Sequence, residues 1–234
     1  MQRQVQFLFP ATAVRSRPPV PAIQYADLKD NDSFPKFITL PRNYGTDARY
    51  YDQMNNLPPM PRKHWCLLLQ LETATFSDCL VVQGHDASGY CLHVDFYTSD
   101  AGMKFLKEAG LKVGYTLAIM YPVRHGSRVA IKDDSMIRVF PSSLKQILQL
   151  NDDIQTWPSA FATHDFCHTC RTEHRRLEVC TCGVVAYCSK ECQIFDLIKG
   201  GHRYDCGLLR DGDFRELMTM KWHLFNDFKR FPLR

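Results

Sequence analysis

Four cysteines fall within the thirteen positions of CTCGVVAYCSKEC, residues 180–192, in a chain of 234 residues that has ten. Thiolates crowded this closely repel one another unless a cation lies among them, so the spacing points to metal. The candidate ligands run Cys167, Cys170, Cys180, Cys182, Cys188, Cys192, His202 and Cys206. Cys167-x2-Cys170 is a spacing at which two thiolates chelate one tetrahedral Zn²⁺. Cys188 and Cys192 open a predicted helix, SKECQIFDLIK, and residues four apart share a helical face. His202-x3-Cys206 repeats that geometry. Eight ligands fill two four-coordinate sites, and two Zn²⁺ offset much of the charge of seven thiolates. A catalytic zinc keeps a position open for water, so two filled sites read as structural. About forty residues bury too little core to fold alone, which makes the metal the main stabiliser of this segment.

Two other uses of the thiols stay open from spacing alone. Cys167 and Cys170 could form a redox pair, although no thioredoxin-like βαβ pattern surrounds them. The cluster could be a disulfide framework in a secreted chain, but the N-terminus has no long apolar region of the signal-peptide type. His168 stands off the ligand pattern; it reads as an exposed neighbour and is the reserve ligand should Cys180 fail. Cys66, Cys79 and Cys91 fall in strand-like stretches and read as small buried hydrophobes.

The order of the eight ligands, with Tyr187 directly before Cys188, SKECQ after it, and Gly200 and Gly201 before His202, resembles the MYND zinc finger over residues 167–206. The resemblance implies interleaved ligation, with Cys167, Cys170, Cys188 and Cys192 on one zinc and Cys180, Cys182, His202 and Cys206 on the other. The second pair is spaced Cys180-x-Cys182 where the family commonly has Cys-x2-Cys, and Leu197 stands where a tryptophan is common. The resemblance also implies a function: a protein-interaction module for short proline-containing motifs of partner proteins in regulatory complexes. The groove expected for such a peptide comprises Val184, Val185, Tyr187, Gln193 and Leu197, though these residues could instead pack the finger, a reading that fits Val184 and Tyr187 at least as well. The chain's own LPPMP, residues 57–61, is a candidate occupant of that groove.

Two further function classes follow. MYND fingers also occur within SET-domain lysine methyltransferases. This chain lacks the Asn-His dipeptide those enzymes use, and no nucleophile elbow, Walker loop or dinucleotide fingerprint is present, so the expectation is no enzyme. The alternative is single-stranded nucleic-acid binding by the β-rich region, with Tyr90, His93, Phe96, Tyr97 and Tyr121 as stacking candidates. Lys104, Lys107, Lys112 and Arg124 would supply charge there, interrupted by Asp95, Asp100, Asp133 and Asp134. A net charge of +4 is well short of a dedicated nucleic-acid binder. No apolar run reaches membrane-spanning length, and the cysteine usage fits an intracellular site, nucleus or cytoplasm.

The elements that must hold these groups divide the chain into four. Residues 1–62 carry nine of thirteen prolines and read as an extended, loosely attached leader, with docked pieces around FPKFITLP. Residues 63–152 alternate in strand fashion: WCLLLQLETA, CLVVQGH and YCLHVDFYT, then a helix in SDAGMKFLKEAG, then TLAIMYP and RVAIKDDSMIRVFP. Three strands, a helix and further strands is the element order of an OB-like barrel. SSLKQILQL adds a short helix, and the polar NDDIQTWPSAFATHD reads as a boundary. The finger occupies 163–210. Residues 211–234 read as an amphipathic helix, with Phe214, Leu217, Met218, Leu224, Phe225 and Phe228 near one stripe. The fold class expected is α+β and multi-domain: an OB-like β-barrel, a double-zinc finger and a C-terminal helix.

Overall fold

The computed structural model describes residues 25–42, 44–52, 58–107, 110–157, 165–174 and 176–233. Strands β1 (Cys66–Phe76), β2 (Leu80–Asp86) and β3 (Cys91–Phe96) form an antiparallel meander. Helix α1 (Met103–Lys107) follows, then β4 (Thr116–Met120), β5 (Arg128–Ile131) and β6 (Ile137–Phe140). The sheet runs from the short strand Arg124–His125 through β5, β3, β2, β1 and β4 to β6. Among the described residues only the β3–β5 pairing is parallel, from His93 opposite Arg128 to Phe96 opposite Ile131.

The element order expected of an OB-like domain is present, but the hydrogen-bonded sheet does not close into a barrel. The reason lies in RVAIKDDSMIRVF. Asp133 accepts from the Ser135 amide and hydroxyl and caps a 3₁₀ turn over Asp134–Met136. That turn splits the stretch into β5, which pairs with β3, and β6, which pairs with β4. The two ends of the sheet are therefore joined through the chain and not through a ladder.

Alternation decides which side chains fill one face of the sheet. Leu67, Leu69 and Leu71 of β1 meet Leu80 and Val82, Leu92, Val94 and Phe96, and Leu117 and Ile119 there. On the same rule Cys91 points outward and is exposed, and Cys79 is only half-buried; of the three strand cysteines only Cys66 is fully buried. β1 is buried on its other face as well. Cys66 and Leu68, with Ala118, Met120 and Phe140, form the floor of a second core. Its roof is α2 (Leu144–Gln155) and residues of the cysteine-rich segment. Helix α2 runs five residues beyond the expected SSLKQILQL. Ser143 and Gln146 form a reciprocal capping box at its start, and Asn151, inside the supposed polar boundary, is buried. Asn151 accepts from the Leu28 amide at 2.8 Å and donates to Asp27 at 2.9 Å, which fastens the leader to the helix.

The described part of the leader, from residue 25 on, is packed well beyond FPKFITLP; residues 1–24 lie outside the described residues. Tyr25, Leu28 and Phe34 enter the second core, while Phe37, Leu40, Tyr50 and Tyr51 enter the first, the last two edge-on to Trp65. Of LPPMP, Leu57 lies outside the described residues. Met60–Pro61 pairs with Tyr51–Asp52, and Pro59 lies against Gly45, where any Cβ would come within 2.1 Å of it. These pairings, not the finger, hold the described part of that segment.

The C-terminal helix is shorter than the expected span. After α3 (Lys190–Phe195) and α4 (His202–Arg210), α5 covers only Gly212–Thr219, capped by Asp211. At Met220 the backbone turns extended, because Trp222 is drawn into the core. Its indole donates to the Leu217 carbonyl at 2.9 Å, and its own carbonyl accepts from the His64 amide at 2.8 Å. Phe225 and Phe228 therefore leave the α5 stripe and pack on Tyr121, and Leu224 is 54% exposed.

His64 anchors this tail. It is buried, its Nδ1 lies 2.6 Å from the Tyr121 hydroxyl, and its ring faces Phe225. Burial holds its pKa below the ordinary 6.5, with a smaller push from Lys229 opposed by a backbone contact at Leu224. The folded protein thus favours neutral His64. That contribution is complete above the unfolded pKa and is lost as pH falls below it. The urea midpoint of the wild type should exceed that of His64→Gln at pH 7.5, and the gap should shrink steadily as pH drops below 6.5. A gap independent of pH would show that His64 is not held neutral.

Candidate metal centre

The finger begins with a tight turn. The Cys167 amide donates to the Thr172 carbonyl, the Arg171 amide donates to the Cys167 carbonyl, and Arg171 takes a left-handed φ of +60°. That geometry turns Cys167 and Cys170 toward one point. The hairpin of Glu178–Val179 with Ala186–Tyr187 supplies the next ligands. Its loop closes through Gly183, whose amide donates to the Cys180 carbonyl at 2.8 Å and whose φ is +76°. Ser189 caps α3 and accepts from the Cys192 amide, so Cys188 and Cys192 converge. A π-helical turn, Asp196–Gly200, and Gly201 at φ +88° then redirect the chain so that α4 starts on His202.

All eight residues expected as ligands come together, in two tetrads: Cys167, Cys170, Cys188 and Cys192, and Cys180, Cys182, His202 and Cys206. Within each, the ligand atoms lie within 4.8 Å of one another. A tetrahedral ion with Zn–S bonds of about 2.3 Å requires S···S edges of about 3.8 Å. In the first tetrad Cys170 to Cys188 is 3.7 Å and Cys188 to Cys192 is 3.6 Å. In the second, Cys180 to Cys206 is 3.7 Å, and the His202 Nε2 lies 3.2 Å from Cys180 and 3.9 Å from Cys182. The donor sets, Cys₄ and Cys₃His, and these edges fit two structural zinc ions. All ten cysteines are free thiols, so no disulfide framework is present.

The surroundings supply ligand chemistry. Hydrogen bonds involving Thr172, together with His174, hold the Cys170 thiol down at about 5, whereas burial pushes Cys182 up to about 11. Burial also keeps His202 below its ordinary pKa, which favours the neutral imidazole that a metal needs. Metal entry at the protonated thiols displaces protons.

Cys180 takes its place despite the Cys-x-Cys spacing, because the Gly183 turn brings both sulfurs of the pair to one side. His168 is no substitute ligand and no exposed neighbour. It is largely buried, packs edge-on against Trp157 at 4.7 Å, and lies 4.0 Å from Asp196. Asp196, absent from the sequence expectations, is buried and accepts from the Tyr187 hydroxyl at 2.6 Å. Its spacing of four from Cys192 was the available signal, since both share the inward face of the finger helix.

The expected peptide groove is only partly at the surface. Val184, Val185 and Tyr187 are buried in the second core, which leaves Gln193 and Leu197 partly accessible. The nucleic-acid candidates are dispersed. Phe96 is buried, Tyr121 belongs to the tail cluster, and Tyr90 stacks on Phe37; Tyr97 is exposed. Lys104 pairs with Asp134, Arg128 with Asp95 at 2.6 Å, and Arg124 sits over the Phe37 ring.

No helix among the described residues is long and apolar enough to cross a membrane. No curated protein sequence matches the chain. Among solved structures the chain is similar to one in the "Crystal structure of S. pombe Stn1-ten1 complex", at 13% identity and a TM-score of 0.31, over 52% of this chain and 97% of that one. A likeness that distant carries nothing about what this chain binds. The cysteine-rich segment has a specific match: residues 167–206 fit the family described as the MYND finger. With both tetrads formed in interleaved order, this segment of the chain is a MYND finger.

Proposed function

We propose that the protein is a zinc-stabilised recognition module whose finger holds a short, extended, proline-containing segment of a partner protein. The observation that carries this reading is that both tetrads are complete in protein ligands. Ions so enclosed shape a surface and have no position for a reacting water, so the protein acts by binding and not by catalysis. An extended proline-containing segment suits such a surface because it is already ordered before it binds. Gln193 and Leu197, adjacent in space on one face of the finger helix, are the contacts left available. The free thiols suit a reducing compartment, nucleus or cytoplasm. Single-stranded nucleic acid is the weaker reading, because Lys104 and Arg128 are already engaged by carboxylates.

The test is an array of proline-containing peptides probed with the zinc-loaded protein, followed by titration of the best binder. Wild type should capture peptides that Leu197→Glu binds at least tenfold more weakly, with two zincs retained in both. Capture of no peptide, or equal capture by the variant, would overturn the reading.

A further inference from the structure

The finger helix has a second face. Cys192 and Asp196 point inward, to the first tetrad and to Tyr187. At about 100° per residue, the side chains two positions on from these lie on the opposite side of the helix. Those are Ile194 and Ile198, and the structure leaves them 46% and 70% exposed. Phe195, next to Ile194, is 58% exposed. Ile194 and Ile198 thus stand in water on the outward side of an element whose inward side is fixed by metal ligation, and Phe195 is exposed on the flank, beside the cleft lined by Trp157, His168 and Asp196. An exposed apolar cluster of this kind marks a contact surface.

Its surroundings specify the partner. Lys190 lies one turn before Ile194 on the same face, Lys199 follows Ile198, and Arg203 is the second residue of α4. All three are exposed and form no ion pair with any described residue. Some cations elsewhere are neutralised within the chain, as Arg138 is by Asp211 and Asp213, Lys29 by Asp152 and Arg230 by Asp133; Lys190, Lys199 and Arg203 stand open to a partner's carboxylates. We propose that this outward face, which borders the Gln193–Leu197 side, is a docking site for an acidic amphipathic segment of a partner protein. Apolar side chains of the partner at helical spacing would cover Ile194, Phe195 and Ile198, while its carboxylates meet Lys190, Lys199 and Arg203. A protein segment fits better than an anionic membrane. The stripe is two turns long, and Glu191, on the same short helix, would face the lipid charge but can be avoided by a peptide's spacing.

The experiment uses the full-length, zinc-loaded protein and fluorescein-labelled fifteen-residue peptides. One has leucines at i, i+3, i+4 and i+7 with glutamate elsewhere; the other replaces glutamate by lysine. Anisotropy should show binding of the acidic peptide alone, weakening with added salt. Ile198→Ser and the pair Lys190→Glu with Lys199→Glu should each weaken it at least tenfold, while zinc content stays at two. The proline-containing binder of the previous test should be unaffected by Ile198→Ser, so the two readings fail independently. Equal binding of both peptides, no binding, or unchanged affinity in the variants would overturn the proposal. So would binding to anionic vesicles without binding to the acidic peptide.

Discussion

Chelation of the purified protein should remove two zinc ions per chain, and with them the order of both the finger and the outer face of the sheet. The finger cannot hold itself. Its strands are two residues each, and its interior is largely the two tetrads. Structural zinc contributes an apparent 10–16 kcal/mol, about as much as or more than the whole stability of a typical domain. The loss should also spread. Cys167, Cys182, Val184, Val185 and Tyr187 belong to the same core as Cys66, Leu68 and Phe140, so an unravelled finger uncovers β1, β4 and β6. Hydrogen exchange on the chelated protein should show full exchange over residues 178–206 and faster exchange at 66–69 and 117–120, while β2 and β3 stay protected. Cys180→Ala should bind one zinc instead of two, since it removes a corner of the second tetrad only. Zinc removal that leaves exchange at residues 184–187 unchanged would show that the metal does not organise this core.

The zinc ligands were legible in the sequence because tetrahedral coordination dictates residue types and short spacings directly. The strands were legible for a similar reason: period-two alternation placed Leu92, Val94 and Phe96 inward, and the same rule, applied strictly, places Cys91 outward. Other features depended on partners remote in sequence. Val184 and Tyr187 fit a peptide groove or the packing of the finger from sequence alone, and the structure decides for packing, in one core with Leu68, Phe140 and residues of α2. The interruption at Asp133 is a local capping event whose consequence, an unsealed sheet, depends on which strands β5 and β6 find. The tail shows the same limit. Leu217, Leu224 and Phe228 share a helical spacing, but Trp222 gains more from burial against Phe34 than the chain gains from continuing α5.

That competition makes Phe214→Ala a sharp test of how the tail is built. Phe214 has no exposed surface and meets Phe140 edge-on, with ring centroids 5.9 Å apart. Beside it Arg138 pairs with Asp211 at 2.8 Å and Asp213 at 3.0 Å, so α5 is fixed to β6 by both apolar and charged contacts. Truncating a buried phenylalanine costs about 3–5 kcal/mol, a large part of the about 5–15 kcal/mol that holds a domain together. Urea titration should therefore find Phe214→Ala severely destabilised. Leu224→Ala, at a position left in solvent by the turn at Met220, should fall within about 0.5 kcal/mol of wild type. Phe140→Ala combined with Phe214→Ala should cost less than the sum of the single changes, by about 0.5–1.5 kcal/mol for the lost aromatic pair. Were one amphipathic helix to run through 213–231, Leu224 would lie on the buried stripe with Leu217, and its truncation would cost as much as a core leucine. The ratio of the Phe214 and Leu224 effects thus reports whether the tail folds back at Trp222. If it does, the same turn that frees Leu224 delivers Phe225 to His64, so the acid sensitivity of His64 and the insensitivity of Leu224 have one structural cause.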